Sequence, residues 1–421
     1  MQRVRMSLPY YRENGWEPVI LAVGERWQDG VREAGLSHTV PADVRIEWCS
    51  ALSLKWSRRL RLGSLGPRSF FSLRRRGAQL LRAEKFDLVF FSTTQFTCFS
   101  LGPLWQRRFG VPYVLDVQDP WRTDYYERPG SRKPPGGWKY KIARLEARLL
   151  EGWCFRHAAA VMSVSPTYLD DLRARYPALA RTPTAVIRFG ASTDDIVSAG
   201  RESPAATYRA FRREAGELHL LYTGAAGPVK PHSLNVLFDA VRLYRAKDPA
   251  GARRLRFHFV GTSYAAPGRA LPSVLPVAEA AGVADQVSET PHRIGFLEAI
   301  RLQQQADVLL MMGSSDLAYS PSKIYLYYLT RQPILGVVFD DSVMKQILEE
   351  LSCSYLVHFQ EHGPKEEAHA ALHQFFALIL RGQVAATQPE RDDAFFRSKY
   401  LATELTRQQC ELFARALARP S

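Results

Sequence analysis

Residues 308–338 read VLLMMGSSDLAYSPSKIYLYYLTRQPILGVV, and the stretch divides into strand, loop, helix and strand. Val308 to Met312 is a short apolar run closed by Gly313, as a buried strand requires. A polar loop follows, Gly313 to Tyr319. Ser320 is a good N-cap and Pro321 suits the first helical position, so the amides of Ser322 and Lys323 fall in a first turn with no intrahelical partners. A helix start with free amides, a hydroxyl and a lysine is an anion site. Pro333 stops the helix, and Ile334 to Val338 reads as the next buried strand.

The run Pro321-Ser322-Lys323-Ile324-Tyr325, with Pro333-Ile334-Leu335 after a helix of matching length, resembles the sugar-nucleotide site of the GT-B glycosyltransferases of family 4. The resemblance implies that the first helical turn faces the diphosphate of a nucleotide-sugar donor. In that family a glutamate three residues after the lysine holds the ribose. Here the position is Leu326, which accepts no hydrogen bond. A glycine usual near the end of the helix is replaced by Arg331. The anion site is kept and the ribose contact is lost.

The chain has 421 residues, too many for one ordinary core, so two domains are expected. Its hydrophobic content of 46% and charged content of 23% are those of a globular protein. No apolar run reaches the length of a membrane span, and no secretory signal opens the chain. The cysteines Cys49, Cys98, Cys154, Cys353 and Cys410 are scattered, which fits reduced thiols in a cytoplasmic protein and no metal site.

Charge is uneven. Residues 1–192 hold 31 lysines and arginines against 17 acids, whereas residues 193–421 hold 25 of each. The densest part includes Lys55, Trp56, Arg58, Arg59, Arg61, Arg68, Arg74, Arg75 and Arg76, with Phe70 and Phe71 interleaved. Trp56, Arg58, Arg59, Arg74, Arg75 and Arg76 are therefore the candidate membrane patch, suited to an anionic surface; a solvated basic face is the alternative. No nucleic-acid-binding module accompanies the charge, so nucleic acid is not expected as a partner.

Alternating strands and helices fill the first half, which implies a parallel sheet covered on both faces. Expected helices include residues 3–14 and 70–83, and Trp138, Ile142, Leu145, Leu149 and Trp153 recur at helical spacing. A domain of this type normally opens with a strand and a Gly-rich turn. Here the chain starts almost inside the first helix, as though one strand and one loop were missing. Leu115-Asp116-Val117-Gln118-Asp119-Pro120-Trp121 ends an expected strand and resembles an Asp-x-Arg-Asp-Pro-Trp segment of bacterial members of the family, with Gln118 in place of the arginine. Asp116, Asp119 and Trp121 are candidate acceptor-binding residues on that resemblance, with Asp119 the candidate catalytic carboxylate; a capped turn is the equal alternative.

A linker is expected over residues 193–216, including a polar helix over 205–214. The second domain, 217–390, opens with a strand, the turn Gly224-Ala225-Ala226-Gly227, Lys230 and a helix, an arrangement that cradles phosphate. Gly224, Ala225, Lys230, Ser322 and Lys323 are the candidate donor-phosphate residues. The resemblance puts His292, Arg293 and Leu326 on the nucleoside side. A long helix over 392–417, within a tail from residue 391, is expected to return to the first domain, residues 1–192.

Two Rossmann-like domains facing a cleft are the expected fold, GT-B by resemblance. The implied function is retaining sugar transfer from a nucleotide sugar to a membrane-linked or polysaccharide acceptor, at the inner face of the membrane, with no metal and no cofactor beyond the donor substrate. No residue is an assignable nucleophile. A catalytically silent binding or scaffold protein on the same fold is the alternative, favoured by Leu326; a nucleotide-sugar epimerase is a third reading that lacks the acids and histidines it needs.

Overall fold

A computed structural model describes residues 2–28, 36, 39–53, 57, 64–122, 138–201, 214–226, 230–265, 268–317 and 319–418. The chain divides into two compact units. The first comprises residues 1–28, 40–189 and 402–421, and the second residues 29–39 and 190–401.

Unit 2 is built on six parallel strands: β7 Leu218–Thr223, β8 Leu255–Val260, β9 Val287–Thr290, β10 Val308–Met312, β11 Ile334–Phe339 and β12 Tyr355–Phe359. Their spatial order is β12-β11-β10-β7-β8-β9. The unit thus starts mid-sheet, runs outward to β9, then crosses to the other side of β7 to lay down β10 to β12. The switch falls between β7 and β10, where an open parallel sheet leaves a crevice at its C-terminal edge. β10 and β11 are buried throughout because both faces are covered. Leu220, Tyr222, Phe257 and Phe259 pack on one face with Leu237, Val241 and Phe376. Helices Thr193–Arg201, Phe296–Gln305 and Lys323–Thr330 pack together, the second of them also against β7.

Unit 1 contains two separate parallel sheets. One is β1 Val19–Val23 with β2 Arg45–Cys49; the other is β3 Val89–Ser92, β4 Tyr113–Val117, β5 Ala160–Ser163 and β6 Thr184–Val186. Both contribute to the same two apolar clusters. Ile20 and Ile46 join Phe90, Val114 and Met162 on one side; Leu21, Val23 and Cys49 join Phe91, Leu115 and Val161 on the other. The two sheets are therefore parts of one layer, and β1 and β3 are not paired. The chain opens in a helix, Gln2–Ser7, which gives way to 3-10 turns before Asn14.

Other boundaries differ from expectation. The tail is not one helix: Asp393–Tyr400 and Ala402–Leu417 are separated at Leu401, which is extended at φ −73°, ψ 148°. The first of the pair belongs to unit 2, and only the second returns to unit 1. The expected linker starts with a helix of unit 2, Thr193–Arg201; the expected helix over 205–214 lies outside the described residues except for Glu214. The basic helix begins earlier than expected, at Leu65.

Candidate functional site

The C-terminal ends of β7 and β10 carry the residues expected on the donor side. β7 ends at Thr223, and Gly224 follows with φ +117°, a backbone region that disfavours any side chain. Lys323 reaches over this turn. Its Nζ donates to the Thr223 carbonyl oxygen at 2.6 Å and sits 3.6 Å from the centre of the Tyr222 ring. A Cβ at Gly224 would stand 2.9 Å from Lys323 Nζ, so glycine leaves room for the lysine. Tyr222 Oη donates to the Ala225 carbonyl at 2.7 Å, which fixes the turn. Across the switch point, Lys230 Nζ donates to Met312 O at 2.8 Å, at the end of β10.

Neighbouring charge bears on Lys323. Burial, then the charges of Lys230 and Arg293, hold the Lys323 ammonium well below its ordinary range. Burial alone pushes Lys230 down to about 8. Arg293 lies against Gly261, the turn after β8, and stacks on Tyr264 at 4.2 Å. Neither lysine has a carboxylate partner among the described residues. Backbone carbonyls alone neutralise little, and a buried ammonium without a counterion is costly. The same set of charges would be stabilised by an anion. Ser233, in the first turn of the Pro231–Lys247 helix, is fully buried with its hydroxyl unpaired. It lies so close to Gly313 that a Cβ there would stand 2.8 Å from its oxygen.

The structure thus brings Gly224, Ala225, Lys230, Lys323 and Arg293 together. Ser322 is exposed at the helix start and His292 is exposed beside Arg293. Leu326 is buried in the next turn after Lys323. One detail is corrected: the helix begins at Lys323, two residues later than expected, and Ser320 does not cap it. The Ser320 hydroxyl is instead buried without a partner. Tyr222 and Tyr327 went unnoticed in the sequence. Tyr327 Oη, on the inner face of the helix, lies 3.1 Å from both the amide and the hydroxyl of Thr223. A tyrosine in a buried strand reads as core, and only the fold puts it beneath a lysine.

Unit 1 departs further from expectation. Asp116 is fully buried. It pairs with Arg3 Nε at 3.0 Å and accepts from Ser92 Oγ at 2.7 Å and Gln118 Nε2 at 2.6 Å. It holds the first helix to β4 and is closed to acceptor hydroxyls. Trp121 stacks on Phe96 at 5.5 Å and meets Phe99 edge-on, so its ring belongs to the core. Asp119 alone of the three is exposed, and the protein around it raises its carboxyl through desolvation.

The basic patch is also divided. Trp56, Arg58 and Arg59 lie outside the described residues. Arg68 is buried, donating to Leu52 O and Trp27 O. Arg76 pairs with Glu47, which Arg45 also holds. Phe70 packs into the core, while Phe71, Arg74 and Arg75 are exposed. A pocket of about 660 Å³ opens at the C-terminal ends of β1 and β2, lined by Arg26, Trp27, Trp48, Arg75 and Gln79 among others. No group of three or more metal-ligating side chains occurs among the described residues.

Residues 2–190 match the family model described as "Glycosyl transferase 4-like domain". No curated protein matches the chain at the sequence level. Among solved structures, Anabaena HepE, crystallised with UDP and glucose, is 14% identical at a TM-score of 0.58, over 98% of this chain and 94% of its own. The UDP-forming trehalose-phosphate synthase of Burkholderia xenovorans is 12% identical at a TM-score of 0.55, over 90% of each chain. The N-terminal domain of Candida albicans trehalose-6-phosphate phosphatase is 10% identical at 0.59, over 98% of this chain and 92% of its own. Residues 2–190 thus resemble a glycosyl transferase 4-like domain, and the chain as a whole shares the two-domain GT-B fold of these structures.

Proposed function

We propose that the protein transfers a sugar from a nucleoside-diphosphate sugar to a membrane-linked or polysaccharide acceptor, with retention of configuration, at the cytoplasmic face of a membrane. The observation that carries the donor half is the pair of lysines at the switch point of unit 2, Lys230 buried and Lys323 half-buried, neither paired with a carboxylate among the described residues. They would take the charge that builds on the departing diphosphate, the transition-state stabilisation that phosphate-leaving reactions need. Gly224 lets the diphosphate approach the backbone, and Arg293 with His292 would flank the nucleoside side. UDP is the nucleotide that HepE and the synthases carry in their descriptions, and it is the first donor to test.

Asp119 is the carboxylate that would accept the acceptor hydroxyl's proton, because a desolvated carboxylate is the stronger base. The acceptor sugar itself would rest against Trp48 in the unit 1 pocket, whose exposed indole suits a pyranose ring. The deciding experiment is calorimetry of the full chain with UDP and UDP-sugars, followed by Lys323→Ala. The substitution is expected to weaken UDP by about 1–3 kcal/mol, the cost of one charge-assisted hydrogen bond. Unchanged affinity would place the diphosphate elsewhere. A silent binding protein is the second reading, favoured by Leu326 at the ribose position; product formation from a UDP-sugar separates the two.

A further inference from the structure

The helix Trp138–Arg156 is turned inside out relative to its own pattern. Ile142, Leu145 and Leu149 repeat at helical spacing, as a core-facing stripe does, yet they are 56%, 58% and 67% exposed. The opposite face is the buried one: Ala147, Glu151, Cys154 and Phe155. Neither acid of the helix is exposed, although Glu146, half-buried, stands within one turn of both Ile142 and Leu149. Glu151 is fully buried, taking hydrogen bonds from Arg175 at 2.8 Å and Tyr176 at 2.7 Å, and Glu146 accepts from Thr97 at 2.7 Å. The outer face therefore combines three aliphatic side chains with Lys141, Arg148 and Arg156, all exposed, while its one neighbouring acid, Glu146, is half-buried and held by Thr97. None of these three cations has an acidic partner among the described residues. Trp153 lies at the margin, half-buried, with Arg107 5.6 Å from its ring.

We infer that this face lies on an anionic lipid bilayer, with Ile142, Leu145 and Leu149 in the acyl boundary and Lys141, Arg148 and Arg156 at the headgroups. An apolar stripe whose exposed charges are all cations is the pattern of a helix lying in the plane of an interface, and a half-buried tryptophan beside an arginine suits the headgroup level. A second copy of the chain is the poorer occupant, because pairing two such faces would bring six unpaired cations together. No described helix is long and apolar enough to cross a membrane, and this contact needs none. The inference rests on the membrane-linked acceptor proposed above for its purpose alone. Its test uses no substrate, so it can fail while the donor reading stands.

The full chain is sedimented with sucrose-loaded vesicles of phosphatidylcholine alone or with about one-third phosphatidylglycerol, at rising salt. Wild type is expected to bind the anionic vesicles and not the neutral ones. Joint replacement Ile142→Gln, Leu145→Gln and Leu149→Gln should weaken binding at least tenfold at every salt concentration. Lys141→Gln, Arg148→Gln and Arg156→Gln together should remove the salt-sensitive part, about fivefold per residue. Arg74→Gln with Arg75→Gln, on the other basic helix, should change little. All these side chains are exposed, and an unchanged circular dichroism spectrum with unchanged melting in calorimetry shows that each variant is folded. Wild type that ignores anionic vesicles, or an aliphatic triple variant that binds as well as wild type, overturns the inference. So does a dimer, found by sedimentation equilibrium, that the aliphatic triple variant dissolves.

Discussion

Lys230 and Lys323 would set the pH behaviour of the proposed donor site. An anion needs them protonated, and Lys230 loses its proton near pH 8 while Lys323 is held well below the ordinary lysine range. UDP affinity should therefore fall as pH rises from 7 to 9, measured by calorimetry in buffers of matched ionic strength. Stability without ligand has the opposite sign. Between the depressed folded value and the unfolded value of 10.5 the unfolded chain binds more protons, so unit 2 gains stability as pH rises through that window. Gly224→Ala should loosen UDP at least tenfold, because the added methyl occupies the space of Lys323 Nζ and the backbone is at φ +117°. Leu326→Glu should raise UDP-sugar affinity if the ribose lies against that turn; a loss would put the ribose elsewhere. The lysines and the Gly-rich turn were legible from strand, turn and helix signals. Asp116 was misread because its partner, Arg3, is over a hundred residues away, and no local pattern distinguishes a buried salt-bridged aspartate from an open one.

Elements were easier to find than to orient. The repeat Ile142, Leu145, Leu149 correctly marks a helix, but periodicity says only that one face is apolar, not which face is buried. The inner face of that helix is decided by Arg175 and Tyr176, which pair with Glu151 from a later element. The helix at Lys323 was found with its start misplaced, since a serine and a proline also suit the extended residues that precede a first turn. The short helix Gln2–Ser7 holds its place through Arg3, whose guanidinium also donates to Ile187 O at 2.8 Å. Arg3→Met would leave Asp116 buried and unpaired, and should destabilise unit 1 by about 3–5 kcal/mol in denaturant titration. Asp116→Asn with Arg3→Met should recover much of that loss.

Two compact units predict two unfolding transitions in calorimetry. UDP at a hundredfold its dissociation constant should add about 2.7 kcal/mol to the transition of unit 2. The transition of unit 1 should stay in place, since both lysines belong to unit 2. A single shifted transition would mean that the units unfold together. The two-domain α/β architecture was legible because apolar strand runs alternate with helical repeats throughout. The division of unit 1 into two sheets was not legible from any single run of residues. That β1 and β3 still share both apolar clusters depends on packing across the layer, which no run of neighbouring residues encodes.

The helix Ala402–Leu417 supplies Leu405, Leu412 and Phe413 to the cluster that also holds Tyr11, Val114 and Met162. On the ribosome, therefore, the part made first is the part finished last. Residues 190–401 emerge with everything their own core needs, whereas the earlier segment waits with that cluster uncovered until its closing helix clears the exit tunnel. Domains ordinarily fold in the order they are synthesised; here the second is ready before the first. The nascent chain thus carries an exposed apolar surface for about half of its synthesis, long enough for a holding chaperone to cover it.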